Sequence, residues 1–175
     1  YETERLRWLA EAKTLKAYFH YYLFQLYGPI PIIDEMLPID ASFEQVRVSR
    51  EKVDKVVDYI AKTIDDCYKD LPPVIQMEAT ELGRLTQGAA LGIKAKTLVL
   101  AASPLFNGNT DYAHFVDHDN EPFINQETSL EKWTRAAEAC LAAIQSAEVD
   151  GARGLYYFKA DASYTMPDEL LYGMN

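Results

Sequence analysis

Two aromatic residues, Tyr112 and Phe115, lie in a polar stretch of the sequence close to Asn107, Asn109 and Asp111. An aromatic ring can stack on the apolar C–H face of a pyranose, while neighbouring amides and carboxylates bind the sugar hydroxyls. Tyr112, Phe115, Asn107 and Asn109 therefore form the candidate ligand-binding site. Packing of these rings within their own loop is the alternative that the pattern leaves open.

A second group, Asp117, Asp119 and Glu121, has the alternating carboxylates of a calcium-binding loop. Such a loop needs a glycine at its sharp turn and a bidentate glutamate at its last position. Pro122 and Thr128 stand at these two positions, so we interpret the carboxylates as solvated loop charge. The sequence predicts no metal site and no cofactor.

The acid–base residues argue against catalysis. His20 lies among aromatic residues, His114 and His118 lie in the polar stretch, and none has a recognisable nucleophile motif beside it. Asp65 and Asp66 are adjacent in a predicted helix, so they point in different directions and cannot act as the paired carboxylates of a glycosidase. We predict that the protein is not an enzyme.

Composition and charge exclude several classes of partner. The chain has 175 residues, of which 17 are Lys or Arg and 27 are Asp or Glu, and its net charge of −10 repels phosphate backbones, so no nucleic-acid partner is expected. Its apolar runs fall short of the roughly 18 to 20 residues that cross a bilayer. We predict that Cys67 and Cys140 are buried thiols, with a disulfide across a helix pair as the alternative.

Four helices are predicted to carry these residues, because apolar side chains recur with helical spacing between glycine and proline breaks. The predicted caps are Ser49 for the second helix, Thr86 for the third and a capping box of Thr128 and Glu131 for the fourth. The helices are expected near Glu2 to Tyr27, Ser49 to Leu71, Thr86 to Ala102 and Leu130 to Ala147.

The apolar spacing also predicts a core. In the first half of the first helix, Leu6, Leu9, Ala12 and Leu15 form the predicted apolar side, and the second half is apolar enough to require contact on more than one face. The predicted buried side chains include Phe24, Ile60, Ile64, Leu98 and Trp133.

The order of the helices indicates an all-α fold of paired, tetratricopeptide-like helices. The segment from Ser103 to Glu127 is too long for a regular array, so it is expected to be functional or disordered. Residues Ala152 to Lys159 alternate weakly and are expected to form a short strand or an extended segment.

Several segments, taken together in this order and spacing, resemble the SusD/RagB family of cell-surface nutrient-binding lipoproteins from glycan-foraging Gram-negative bacteria. The segments are Ala10-Glu11-Ala12-Lys13, Tyr27-Gly28-Pro29-Ile30-Pro31-Ile32-Ile33, Arg50 to Leu71-Pro72, Gly83-Arg84-Leu85-Thr86-Gln87-Gly88-Ala89-Ala90, Lys94-Ala95-Lys96, Ala102-Ser103-Pro104-Leu105-Phe106-Asn107, and Trp133 with Ala136 and Ala137.

The resemblance implies an α-helical scaffold for a non-catalytic, surface-exposed glycan-binding protein of the outer membrane. It implies two partners, a glycan and a SusC-like, TonB-dependent transporter through which the nutrient is imported. Members of the family are longer at both ends and begin at a lipidated cysteine. Residues 1–175 are therefore expected to be a single helical core segment, with membrane attachment only through a lipid anchor absent from this sequence.

A different function remains open at this point. A generic tetratricopeptide-like adaptor would bind a peptide or a partner helix in its concave groove and would need no transporter. A secreted glycoside hydrolase would need two carboxylates about 5 to 10 Å apart in one cleft, and the sequence shows no such pair.

Overall fold

The computed structural model describes residues 1–151 and 154, and six α-helices lie within them. They are α1 (Glu2–Tyr27), α2 (Phe43–Val46), α3 (Val53–Asp65), α4 (Glu78–Glu81), α5 (Gln87–Ala102) and α6 (Leu130–Gln145). Short 3₁₀ turns cover Tyr68–Asp70 and Thr110–Tyr112, and a π-helical turn, Ser146–Asp150, continues α6. The predicted all-α class is confirmed. The short strand or extended segment predicted from Ala152 to Lys159 lies outside the described residues except for residue 154.

Helix α1 has the predicted bounds because no glycine or proline interrupts it for 26 residues. It ends at Gly28, which has a φ of 68° and donates its N–H to the Phe24 carbonyl at 2.9 Å. A side chain at position 28 would lie 3.3 Å from the Phe106 ring. The backbone conformation therefore favours glycine at position 28, and a side chain there would also crowd the Phe106 ring.

The buried face of α1 differs from the one predicted for its first half. Leu6, Leu9 and Leu15 are 37%, 47% and 44% exposed. The core side is instead formed by small residues followed by larger ones, namely Ala10, Thr14, Ala17, Tyr21 and Phe24. Small side chains let the α1 backbone approach its neighbours closely, so the helix turns its leucines outward in this part of the chain.

Helix α3 supplies the centre of the core, with Val53, Val56, Val57, Ile60 and Ile64 buried as the spacing predicts. It packs against α1 on one side and α5 on the other. These contacts confirm the prediction that Ile60 and Ile64 are core residues.

The start of α3 does not match the prediction. The helix begins four residues after Ser49, and Lys52 occupies the N-cap without a capping side chain. Glu51 instead donates its backbone N–H to the Ile30 carbonyl at 2.9 Å. This bond to the proline-rich connector holds the segment before Val53 in an extended conformation.

Helices α5 and α6 form the most extensive helix–helix contact among the described residues. At one end of this contact Gly88 lies close to Ala147, where an added side-chain carbon would make an ordinary 3.8 Å contact. Alanines fill the rest of the contact, including Ala90, Ala95, Ala136 and Ala139. Thr86 caps α5 as predicted, its hydroxyl accepting the Ala89 N–H at 3.3 Å.

Two predictions for α6 are wrong. Ser129 is the N-cap and neither Thr128 nor Glu131 forms a capping box, because the Ser129 N–H is bonded by the Asn107 side chain at 2.7 Å. Trp133 is 45% exposed. Since α6 meets α5 through its alanines, the tryptophan lies to one side of that contact. Phe24 and Leu98, predicted for the same core, are buried.

Both cysteines are free thiols. Cys67 is buried and Cys140 is half-buried. No helix within the described residues is both long enough and apolar enough to cross a membrane.

Candidate functional site

The candidate residues lie in residues 103–129, which we call the α5–α6 loop. Its inner part belongs to the core. Phe106 is buried against Phe24 with ring centroids 4.9 Å apart, and Phe123 and Ile124 are buried as well. The Phe123 carbonyl accepts the N–H of Val53 at 2.9 Å and so satisfies a donor at the start of α3. The loop is therefore built into the fold.

Asn107 closes the base of this loop. Its Nδ2 donates to the carbonyls of Ala102 and Ser129 at 3.2 Å and 3.0 Å, and its Oδ1 accepts the Ser129 N–H. Both amide hydrogens are used in these bonds, and the residue is buried. Asn107 therefore joins the end of α5 to the start of α6.

Gly108 lies beside this clamp with a φ of 81°. A side-chain carbon at this position would lie 2.1 Å from the Thr128 hydroxyl and 2.9 Å from its backbone nitrogen. Gly108 also donates its N–H to the Asn125 carbonyl at 3.3 Å. The two ends of the loop can therefore approach each other only because residue 108 is glycine.

Phe115 opens a small hairpin within the loop. Its carbonyl accepts the Phe123 N–H at 3.1 Å, and the two phenyl rings lie 5.0 Å apart. The Arg50 guanidinium lies 6.0 Å from the centre of the Phe115 ring. The Phe115 ring is half-buried by these two contacts.

Tyr112 differs from Phe115 because its ring is 44% exposed. It closes a 3₁₀ turn that begins at Asn109, whose Oδ1 accepts the Asp111 N–H at 3.0 Å. The structure therefore presents an aromatic ring beside an amide and a carboxylate. Of the four predicted site residues, Tyr112 has the largest exposed apolar surface.

The acidic turn at 117–121 has a structural role. Asp117 Oδ1 accepts the N–H groups of Glu121 and Asp119, each at 2.9 Å. These backbone hydrogen bonds, that of Glu121 above all, lower the pKa of Asp117. Ligand atoms of Asp117, His118 and Asp119 lie within 4.8 Å of one another on the surface, but one Asp117 oxygen is already committed to the turn.

The structure also shows a cleft that the sequence did not predict. It has a volume of about 220 Å³ and a floor of Val57, Leu98 and Ala101. Its rim carries charged and polar side chains from α3, α6 and the end of the α5–α6 loop, namely Asp54, Asp58, Asn125, Ser129, Glu131, Lys132 and Arg135.

Ion pairs across this cleft join α3 to α6. Lys132 Nζ lies 2.5 Å from Asp54 and also donates to the Phe106 carbonyl at 3.0 Å. Arg135 lies 2.8 Å from Asp58. The signal in the sequence was two acids four residues apart on one helix and two bases three apart on another, spacings that place each pair on one helix face. The lining is polar and charged at the rim, and no aromatic ring is among the described residues that form it.

Comparison with known proteins places the chain in a family. A SusD-like family model, described as starch-binding and associating with the outer membrane, matches residues 2–98, more than half of the chain. No curated protein matches the chain significantly.

Solved structures show the same fold. A protein named BT4246 is 34% identical to the chain and superposes with a TM-score of 0.81 over 88% of this chain and 26% of its own length. A SusD-like protein (BF3747) from Bacteroides fragilis is 18% identical, with a TM-score of 0.58 over 83% of this chain and 22% of its own. A SusD-like carbohydrate-binding protein (BF0978) from the same species is 19% identical, again with a TM-score of 0.58, over 82% and 22%.

The chain spans about a quarter of the length of the solved structures that it matches. Within that quarter the paired helices agree in order and arrangement with BT4246, and the family model covers α1, α3 and most of α5. This chain belongs to the SusD-like family, SusD/RagB, whose members are described as starch-binding and associated with the outer membrane.

Proposed function

We propose that this chain is the helical core of a non-catalytic, surface-exposed glycan-binding protein that supports nutrient import through a SusC-like, TonB-dependent transporter of the outer membrane. The observation that carries the proposal is the match of residues 2–98 to a family described as starch-binding and outer-membrane-associated. In the full-length protein, a lipid anchor would hold the helical core at the cell surface.

The sugar-contacting part of the proposal centres on Tyr112. An exposed ring with two stiff side-chain torsions can stack on a pyranose at low entropic cost. Asn109 and Asp111 stand beside it in the same turn and offer hydrogen-bonding groups to the hydroxyls. Asn107 and Phe115 contribute by fixing the loop that carries Tyr112, through the clamp to Ser129 and the contact with Phe123.

The absence of bond chemistry is part of the same proposal. A glycosidase needs one protonated carboxyl group and one carboxylate facing each other across the scissile bond. Two of the three carboxylates that line the α3–α6 cleft face cations instead, Asp54 with Lys132 and Asp58 with Arg135. Such pairs suit a structural or binding role.

Calorimetric titration of the full-length protein with maltoheptaose, and with β-linked oligosaccharides for comparison, tests the binding proposal. Tyr112→Ala is expected to weaken affinity about tenfold, or 1.4 kcal/mol, while Tyr112→Phe keeps the stacking face and most of the affinity. Phe43→Ala is the matched control, because Phe43 is a more exposed ring on a different segment. Unchanged affinity in Tyr112→Ala would remove this residue from the site, and no binding of any glycan would contradict the function.

Two further measurements separate the remaining parts of the proposal. Chromatography of the glycan after long incubation with the full-length protein should show no shorter products, and turnover would contradict the non-catalytic assignment. Affinity purification from outer membranes should recover a TonB-dependent barrel in a stable complex. Recovery of the protein without a barrel would refute the transporter partnership while leaving glycan binding intact.

A further inference from the structure

Helix α1 is apolar on two opposite faces. Its core face includes Ala10, Ala17 and Phe24, which recur every seven residues. Trp8, Leu15 and Tyr22 recur with the same period two residues earlier, a rotation of about 200° on an α-helix. The second set therefore points away from α3 and α5, and each of its members is exposed.

The outward face forms a continuous stripe, which we call the α1 seam. Its six positions alternate in steps of four and three residues over about 27 Å of helix. None of them is charged, and Tyr22 is the one that carries a hydroxyl group. They are Trp8, Ala12, Leu15, Phe19, Tyr22 and Leu26.

The exposure of the seam is large for apolar side chains. Phe19 is 60% exposed, Trp8 61% and Leu26 58% among the described residues. A contiguous apolar patch of this kind marks an interaction surface on a protein. A straight 4-3 stripe is the geometry with which one helix packs along another at a shallow angle.

Charges that flank the seam are already neutralised within this chain. Glu11 binds Arg84 through both carboxylate oxygens at 2.9 Å and 3.1 Å, and Glu4 lies 3.3 Å from the same guanidinium. On the other side, Lys16 lies 2.7 Å from Asp34. A partner would therefore contact the seam mainly through apolar packing, because the charged residues beside the seam already form ion pairs within this chain.

Two observations identify the origin of that partner. The part of BT4246 that matches this chain makes up only 26% of that protein, so most of the polypeptide of a full-length member lies outside these residues. The net charge of −10 opposes a second copy of the chain as the partner, because like-charged copies repel.

We propose that the α1 seam is an intramolecular interface, covered in the full-length protein by an α-helix of the same polypeptide from outside residues 1–175. The covering helix presents a complementary 4-3 stripe of small and branched apolar residues between the α1 rings. Helix α1 is then buried on both faces, as an inner helix of a larger stack. This proposal does not depend on glycan binding.

Cysteine labelling in the full-length protein tests the proposal. Ala12→Cys places a thiol on the seam with almost no change in volume, and Lys13→Cys, the next residue, places one on an exposed polar flank of the same helix. Maleimide modification is followed by mass spectrometry of each peptide, and each rate is normalised to the rate in urea. We expect the seam thiol to react at least about tenfold more slowly than the flank thiol.

Phe19→Cys is the second variant, and light scattering gives the oligomeric state of each sample. Slow labelling of both seam thiols in a monomer, at every protein concentration, supports the proposal. Equal rates at seam and flank positions overturn it. Protection that appears only when the protein dimerises assigns the seam to a second copy, and protection that appears only with the transporter barrel assigns it to that partner; both results also overturn the proposal.

Discussion

The α5–α6 loop and the outward face of α1 differ in opposite ways from what their residue types suggest. The loop is rich in Asn, Asp and Gly, yet it buries Phe106, Phe123 and Ile124 and supplies a hydrogen-bond acceptor to the first residue of α3. The outward face of α1 has no charged residue along its seam, yet it is exposed among the described residues. The residue types of a segment show how much apolar surface it could bury. Whether that surface is buried depends on the structure that packs against the segment.

The two regions bury surface by different means. The loop uses single anchors at irregular spacing, held by Asn107 and by the close approach that Gly108 permits. The α1 seam repeats one type of side chain with helical spacing, which only a long regular partner can cover. We therefore expect the loop to be complete within this chain and the seam to be completed by the rest of the protein.

Phe106 and Phe19 allow the sharpest comparison, because they are the same residue type at 5% and 60% exposure. In this chain Phe106→Ala is expected to lower the free energy of unfolding by about 3 to 5 kcal/mol, since it leaves a cavity against Phe24. Phe19→Ala should change it by less than about 1 kcal/mol. Urea denaturation measures both, and equal costs would erase the distinction between loop and seam.

Gly108 tests whether the closure of the loop depends on close contact. Gly108→Ala is expected to cost about 2 to 4 kcal/mol, because it adds strain at positive φ to a collision with Thr128. Gly83→Ala is the control, with a φ of 95° and no atom within 4 Å of the new carbon, so only the strain of about 1 to 2 kcal/mol remains. A Gly108 variant as stable as the Gly83 variant would mean that the loop ends can separate freely.

Substitutions of Asn107 and Asn109 compare a buried hydrogen-bonding residue with one in an exposed turn. Asn107→Ala leaves the Ser129 N–H without its acceptor and is expected to cost about 2 to 3 kcal/mol. Asn109→Ala removes one hydrogen bond at the surface and should cost less than about 1 kcal/mol. Thermal unfolding of both variants measures the difference, and the reverse order would place Asn109 at the structural centre of the loop.

Acid should lower the free energy of unfolding by less than these substitutions do, through one carboxylate that pairs with α1 and one in the α5–α6 loop. The guanidinium groups of Arg7 and Arg84 hold the pKa of Glu81 below its usual value, so its contribution is complete above the pKa of an unfolded glutamate, about 4.3, and is lost as the pH falls through the lower folded pKa. Asp117 behaves in the same way because of its two backbone hydrogen bonds.

The free energy of unfolding measured between pH 6 and pH 3 should therefore fall below about pH 4. Glu81→Gln should make this fall less steep, because it removes the carboxylate that faces Arg7 of α1 and Arg84. Asp117→Asn keeps the side-chain acceptor but removes the titrating group of the loop, so it should also make the fall less steep. An unchanged pH profile in both variants would show that other carboxylates dominate acid unfolding.

The sequence predicted the helices well where local signals decide them. The 26 residues of α1 without glycine or proline set its bounds, Thr86 caps α5, and the spacing of Ile60 and Ile64 identified the buried face of α3. Each of these features depends on residues within a few positions of one another.

The wrong predictions share a long-range cause. Ser129 replaces the predicted capping box because Asn107, 22 residues earlier, bonds its N–H. Trp133 and Leu15 were assigned to the core from their apolar character, whereas small residues on the same helices make the actual contacts. Local periodicity identifies an apolar stripe, but it does not say which of two stripes meets the core.

The candidate site was predictable only in its composition. The polar residues around Tyr112 and Asn109 predicted an exposed aromatic ring in a loop. The role of Tyr112 in sugar binding remains a prediction. Four residues between α3 and α6 pair across a cleft although they are distant in sequence, so nothing local could connect them.

A crystal structure of the full-length protein with bound maltoheptaose tests the contrast between the two regions most directly. We predict that a helix of the same polypeptide covers Phe19 and the rest of the α1 seam, and that Tyr112 stays free of protein contacts and stacks on a glucose ring. A structure in which the seam faces solvent and the rest of the polypeptide covers Tyr112 would contradict the account.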